Sequence, residues 1–368
     1  LEKKNSLSGI VVFLLIITVA VLGVYVLFGK DNEIISQVSV IIKNDAVPDN
    51  VPVVQWDNDS KEKSCDLLFE YLKDLEPMVA VKDQEENLQW DEICRECFWV
   101  DSFNITETEG SSIKRYNFVY RDDAADNKKM QNAVDEEVDD IIALVPKEAS
   151  DWEKVLVIHD ELIRRITYDE SDELAHSHDI YGALVERRAV CQGYTYSMTY
   201  ICQKLGIRCG EIYSGTHIWN KFPDFDSNEC YVDVTWDDID RFDSSGNHYI
   251  IHDNFGLSKK DMEKQAEHQP EGEEKSKTKS HSTGDNFYRR KGRYIPNGET
   301  EVLELAVKEQ LDSGANLIEV RFASDTDFAA AKDTVDEIIR AYGYKGSYYS
   351  WKNDILRVYS VGLNPPEE

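Results

Sequence analysis

Residues 189–207 read AVCQGYTYSMTYICQKLGI, and the fifty residues opening with this stretch decide how the chain folds. Tyr194, Met198, Ile201, Cys202 and Leu205 recur at helical spacing, and Gly206 is a good stop just past the last of them. Cys191 therefore lies at or just before the start of a buried helix. Beyond it, residues 208–214, 216–222 and 229–235 read as three strands. His217 and Trp219 share one face of the second strand; Tyr231, Asp233 and Thr235 share one face of the third. Pro223-Asp224-Phe225-Asp226-Ser227 is a credible turn between them. A hairpin centred on Phe225 pairs Phe222 with Asn228 and, in the same register, His217 with Asp233. Directly opposed residues bring their Cβ atoms to about 4.5–5.5 Å.

Those three side chains have a chemistry in common. A thiol at a helix start meets the positive end of the helix dipole, and a nearby imidazolium also favours the thiolate, its nucleophilic form. A carboxylate opposite an imidazole holds it in one tautomer and stabilises its charged form. Gly193 is expected to leave room above the sulfur for a substrate. A buried structural cysteine is the alternative reading of Cys191 taken alone.

The segments Val190-Cys191-Gln192-Gly193-Tyr194, His217-Ile218-Trp219-Asn220 and Tyr231-Val232-Asp233-Val234-Thr235-Trp236-Asp237-Asp238 together resemble the transglutaminase-like (papain-like thiol) superfamily. Ile158-His159-Asp160, Ile166-Thr167-Tyr168-Asp169 and Tyr181-Gly182-Ala183-Leu184 resemble the approach to its core, and Asn286-Phe287-Tyr288 its tail. The resemblance covers roughly residues 126–296. The family commonly has Ala after the histidine, where this chain has Ile218. The resemblance implies an α+β fold, a catalytic helix packed on an antiparallel sheet. It also implies roles: Cys191 attacks an amide or peptide carbonyl to form a thioester, His217 is general base and acid, and Asp233 orients it. The backbone N–H of Cys191 is a natural oxyanion donor. Tyr181 is a candidate second donor, with a core tyrosine as its alternative.

Outward from this core, residues 61–125 read as a small α/β segment, with a helical face of Leu67, Leu68, Tyr71, Leu72 and Leu75 and β-rich runs at Phe98–Phe103 and Arg115–Tyr120. Two long helices follow, Asp126–Val145 and Asp151–Ile166; His159 sits on the apolar stripe of the second and reads as a core histidine. Residues 263–285 are almost free of apolar side chains and read as a flexible loop. Residues 297–368 read as a separate small C-terminal α/β unit with a packing or recognition role.

Before the core, Ile10–Phe28 is an uncharged apolar run of 19 residues, long enough to cross a bilayer as a helix. It is longer than the apolar core of a cleaved signal peptide, and no small-residue cleavage site follows it. Lys3 and Lys4 favour a cytoplasmic N-terminus. Residues 1–30 thus read as a signal anchor, residues 31–60 as a polar stalk, and the catalytic domain as lying outside the cytoplasm of a single-pass cell-membrane protein.

A net charge of −30 argues against nucleic acid as a partner. Seven cysteines leave six beside Cys191, enough for up to three disulfides in an oxidising compartment. Cys94-x-x-Cys97 lacks the second pair a four-ligand zinc site needs, and His176-x-His178-Asp179 reads as a loop and helix cap. Neither a metal nor a cofactor is expected. Three functions stay open: acyl transfer from glutamine-like amides to amines, hydrolysis of the same thioester (deamidase or peptidase), and a non-catalytic surface binding or scaffold protein. Each takes a protein or peptide partner at the cell surface.

Overall fold

A computed structural model describes residues 39–41, 47–48, 50–107, 110–225, 228–243, 245–264, 268–269, 286–296, 299–323, 326–345, 348–352, 354–359 and 361–363. The anticipated membrane segment Ile10–Phe28 lies outside the described residues; among those described, no helix is long and apolar enough to cross a membrane. The chain divides into two compact units at residues 132 and 133.

The first unit is built on a five-stranded sheet in the order β1-β4-β5-β3-β2. Its strands are β1 (Ser39–Ile41), β2 (Val53–Gln55), β3 (Met78–Lys82), β4 (Val100–Glu107) and β5 (Ile113–Tyr120), with helices α1 (Lys61–Lys73) and α2 (Trp90–Glu96). β4 and β5 carry the two β-rich runs. β1 and β2 fall within the segment read as a stalk, each pairing in parallel with a neighbour, Val53 with Ala80 and Ser39 with Ile105. Leu68 and Leu72 are the buried face of α1, while Leu67 is exposed. The Trp99 indole N–H donates to the Leu72 carbonyl at 3.0 Å, tying helix to sheet.

Helix α3 (Asn127–Ala143) spans the division, and α4 (Asp151–Arg165) opens the core of the second unit. Ser150 and Glu153 close a capping box at the start of α4, satisfying two of the amide donors that a helix end orphans. Trp152, Val155, Ile158, His159, Leu162 and Ile163 form its buried stripe. Next come β6 (Thr167–Tyr168), a π-helical turn at Gly182–Glu186, and β7 (Arg188–Ala189), the two strands pairing in parallel. Helix α5 (Cys191–Lys204) is buried without interruption from Gly193 to Cys202, as expected of a central helix covered on all sides.

α5 packs on a four-stranded sheet in the order β13-β10-β9-β8, made of β8 (Gly210–Tyr213), β9 (Ile218–Phe225), β10 (Asn228–Val232) and β13 (Phe255–Leu257). All its pairings are antiparallel. The four-residue α6 (Val234–Asp237), β11 (Asp238–Phe242), β12 (His248–Ile250), α7 (Lys259–Met262) and α8 (Phe287–Arg290) surround it in sequence. The second unit also contains a sheet in the order β14-β15-β18-β17, from β14 (Tyr294–Ile295), β15 (Leu317–Phe322), β17 (Tyr348–Lys352) and β18 (Ile355–Tyr359). Helices α9 (Thr300–Asp312) and α10 (Phe328–Ala341) bury Leu303, Val307, Val335 and Ile339 against it, and β16 (Tyr344–Lys345) pairs with β19 (Gly362–Leu363).

The β9–β10 register differs from the expected one. Cys230 pairs with Phe222, Tyr231 with Lys221 and Val232 with Asn220, after an irregularity between Asn228 and Cys230. Relative to a hairpin centred on Phe225 this is a slip of two residues. Strand side chains alternate with period two, so a slip of two keeps every residue on its face, where a slip of one would have reversed them all. None of the seven cysteines is joined in a disulfide.

Candidate active site

Cys191 is the first residue of α5, preceded by Val190 in an extended conformation. The first-turn amides of a helix have no partner inside it, so the sulfur lies beside backbone donors at the positive end of the dipole. Two devices fix α5 against β9, the strand that His217 precedes. The buried Asn220 amide donates to the Thr195 carbonyl at 3.1 Å, to Thr199 Oγ1 at 3.0 Å and towards Cys209 Sγ at 3.4 Å. Thr195 Oγ1 returns a bond to the Ile218 carbonyl at 3.1 Å.

His217 immediately precedes β9. Its Nε2–H donates to Asp233 Oδ2 at 2.6 Å, which leaves Nδ1 as the nitrogen open to Cys191, a neighbour that acts on the protonation of the imidazole. Asp233 is not held opposite His217 by strand pairing. It is the N-cap of α6, where Oδ1 accepts the Trp236 N–H at 3.1 Å and turns the carboxylate towards the imidazole. Burial opposes protonation of His217, but the Asp233 charge and the bonds to Asp233 and Cys191 prevail and hold it up at about 10. Burial of Asp233 would raise its carboxyl; the charge of His217 and hydrogen bonds from His217 and His268 outweigh that and bring it down to about 2.

His268 is the residue that the sequence did not reveal. Its Nε2 lies 2.6 Å from Asp233 Oδ2, the oxygen that also accepts from His217. The ring is fully buried, edge-on to Trp236 at 4.5 Å, to Trp219 at 4.9 Å and to His217 at 5.2 Å between centroids. Trp219 stacks on His217 at 5.8 Å, so both tryptophans wall in the two imidazoles. Nothing around His268 advertises this role, because Glu267 and Gln269 flank it in a polar stretch without apolar periodicity.

Gly193 serves a different purpose from the expected one. A Cβ there would come within 2.6 Å of Ala189 Cβ and 3.1 Å of the Ser177 and Asp179 carbonyls. It lets the loop before α5 press against the helix rather than opening space above the sulfur. Tyr181 precedes the π-helical turn, with its amide donating to Asp179 Oδ1 at 3.0 Å and its ring edge-on to His176 at 5.0 Å. His176 Nδ1 bonds Asp179 Oδ2 at 2.7 Å, a loop and cap arrangement. On the solvent side, burial and the neighbouring Cys191 push the Tyr168 phenol up. His178 Nδ1 bonds Gln192 Oε1 at 2.8 Å, beside the thiol in sequence.

Two clusters have ligand-type atoms within 4.8 Å of one another: His217, Asp233 and His268, and separately His159, Asp160 and His252. The first adjoins Cys191, and a thiol, an imidazole and an oriented carboxylate are the parts that a cysteine acyl-transfer site uses.

A thiol at a helix start, an imidazole just before a strand of the antiparallel sheet on which that helix packs, and a carboxylate behind it define the class of thiol-dependent acyl-transfer folds. Residues 140–240 match the profile of the Transglutaminase-like superfamily, and the chain carries a transglutaminase-like domain. No curated protein sequence matches the chain. Among solved structures it is similar to a TGase (12% identity, 60% of this chain and 59% of the other, TM-score 0.26). It is similar also to a candidate cysteine protease from Cytophaga hutchinsonii (18% identity, 28% and 37%, TM-score 0.24). A third likeness is to menin, solved for its binding site for the Mixed Lineage Leukemia protein (15% identity, 58% and 47%, TM-score 0.25). The chain thus spans less than two thirds of the length of each of these structures.

Proposed function

We propose that the protein is a thiol enzyme acting on glutamine-like amide or peptide bonds, with Cys191 as nucleophile, His217 as general base and acid, and Asp233 as the residue orienting His217. The observation that supports this reading best is the 2.6 Å contact between His217 Nε2 and Asp233 Oδ2, with Cys191 at the helix start acting on the same imidazole. In the acylation step the proton already rests on His217, and the sulfur adds to the carbonyl carbon. The oxyanion is met by the Cys191 amide, with Tyr181 the candidate second donor. The tetrahedral intermediate collapses, the imidazolium protonates the leaving amine, and a thioester remains. An amine or water then attacks that thioester, with His217 taking its proton, to give transamidation or hydrolysis. Membrane attachment through Ile10–Phe28, with this domain outside the cytoplasm, belongs to the same proposal; its support is the length and apolarity of that run.

The test is incubation of the purified protein with glutamine-containing peptides, with and without a primary amine, read by mass. Amine incorporation, deamidation and chain cleavage give distinct products. Any of them, abolished in Cys191→Ala, supports the reading. A product that persists in Cys191→Ala removes the nucleophile. No product, with a thiol-directed probe that also misses Cys191, favours a binding or scaffold protein instead.

A further inference from the structure

The second histidine cluster lies outside the reaction derived above. His159 and Asp160 sit on α4, and His252 follows β12. Asp160 Oδ1 is 3.0 Å from His159 Nδ1 and 3.0 Å from His252 Nε2. Each ring's outer nitrogen also faces a carboxylate: His159 Nε2 is 3.2 Å from Asp237 Oδ2, and His252 Nδ1 is 2.9 Å from Glu319 Oε1 on β15. Both rings are buried and stacked at 5.3 Å between centroids. With protons alone and the three carboxylates ionised, four nitrogens facing carboxylate oxygens require two stacked, buried imidazolium cations sharing one acceptor oxygen. A single divalent ion in place of the two inner protons leaves the net charge unchanged. It turns both rings into neutral ligands and keeps both outer N–H bonds.

That pattern is the one metal-binding histidines use, in which the non-ligating N–H is held by a carboxylate that fixes tautomer and ring orientation. The spacing also suits an ion. Ligand atoms about 2.0–2.1 Å from a tetrahedral zinc stand about 3.3 Å apart, and here the two N···O separations are 3.0 Å with all three atoms within 4.8 Å of one another. Asp160 is partly exposed, which opens a path for the ion and for water as a fourth ligand; its other oxygen, Oδ2, faces Arg164 at 3.7 Å. We infer that His159 Nδ1, Asp160 Oδ1 and His252 Nε2 form a binding site for a divalent transition metal of the zinc class, oriented by Asp237 and Glu319. Two nitrogens and one oxygen suit Zn2+, Co2+ or Ni2+ better than Mg2+ or Ca2+, which prefer all-oxygen sites. Bound there, the ion ties α4 to the segment after β12 and, through Glu319, to the C-terminal sheet.

The test is titration of chelator-treated protein with CoCl2, followed by visible absorption, and with ZnCl2, followed by thermal melting. Expected is a tetrahedral cobalt spectrum without a thiolate charge-transfer band, saturating at one equivalent and unchanged in Cys191→Ala and in His268→Ala. Asp160→Asn and His252→Gln, whose folding near-UV circular dichroism checks, should each weaken binding by about 100-fold or more. ZnCl2 should raise the melting temperature of the parent and not that of Asp160→Asn. A parent with no cobalt spectrum overturns the inference. So does a spectrum that survives both ligand variants, or one abolished by His268→Ala and so belonging to the other cluster.

Discussion

Replacing Asp233 by Asn tests the centre of the proposed mechanism with little collateral damage. Asn caps a helix as well as Asp does, so the bond from the Trp236 amide and the start of α6 should survive while the charge is lost. The lift of His217 from 6.5 to about 10 corresponds to roughly 5 kcal/mol in favour of the imidazolium, at about 1.4 kcal/mol per factor of ten. Asp233 is the main upward contributor, opposed by burial. Without its charge, burial acts on a weakly supported ring, and His217 should be neutral at neutral pH. The Asn amide N–H, turned towards Nε2, would also place the imidazole proton on Nδ1, facing the sulfur that needs a base. A change of this kind costs about 10⁴-fold in kcat in a serine triad. Two assays read it: iodoacetamide alkylation of Cys191 as a function of pH, followed by intact mass, and the nitrogen shifts of the His217 ring. The parent ring should stay doubly protonated well above neutrality, and the variant ring should not. Alkylation at neutral pH should fall by about tenfold or more. A His217 ring still protonated at neutral pH in Asp233→Asn, or an unchanged alkylation profile, would refute the reasoning.

Three further expectations follow from the same geometry. His268→Ala removes one of two donors on Asp233 Oδ2, worth about 1.5–3 kcal/mol for a bond to a charged group; the His217 midpoint, measured by the same ring titration, should move up because the carboxylate becomes more basic. Gly193→Ala drives a methyl to within 2.6 Å of Ala189 Cβ and should destabilise by about 1–3 kcal/mol in urea unfolding. Ala189→Gly in the same chain should recover part of that loss. Stability should depend on pH with two signs. The His217 contribution is complete below 6.5 and is lost as pH rises through about 10; the Asp233 contribution is complete above 3.8 and is lost as pH falls through about 2. Urea midpoints across that range should flatten on the alkaline side in His217→Gln, and an unchanged alkaline slope there would count against it.

How much of this was legible in the sequence depended on which features repeat. The start of α5 at Cys191 is written in the spacing of Tyr194, Met198, Ile201 and Cys202 and the stop at Gly206, all local signals. The faces of β9 and β10 follow from alternation, so His217 and Asp233 could be put on one side of the sheet. Their register could not, because nothing in alternation counts the residues in a turn. The two-residue slip left the pairing of His217 and Asp233 intact only because an N-cap, not a ladder position, aims the carboxylate. β1 and β2 were missed because each is three residues long, too short to show a period. His268 was missed for the opposite reason to Cys191: its neighbours carry no apolar pattern, and its partners come from β9 and α6, more than thirty residues earlier in the chain.

The occupancy of the Asp233 carboxylate narrows what decides the reaction's outcome. Oδ2 accepts from two imidazoles and Oδ1 from a backbone amide, so the carboxylate is buried, holds three donors on its roughly four acceptor sites and is kept ionised. It can orient and stabilise, but at 1 % exposure behind two imidazoles it is closed to an incoming amine or water. In the proposed reaction it then falls to His217 to deprotonate the acceptor, from the nitrogen not bonded to Asp233. The choice between amine and water then falls to the groups outside the sulfur, where Tyr168 and the His178–Gln192 pair border it and are open to solvent. Substitutions at Tyr168 and His178 are thus the ones expected to change the ratio of transamidation to hydrolysis while leaving thiol alkylation intact, and a ratio indifferent to both would move that control to the substrate.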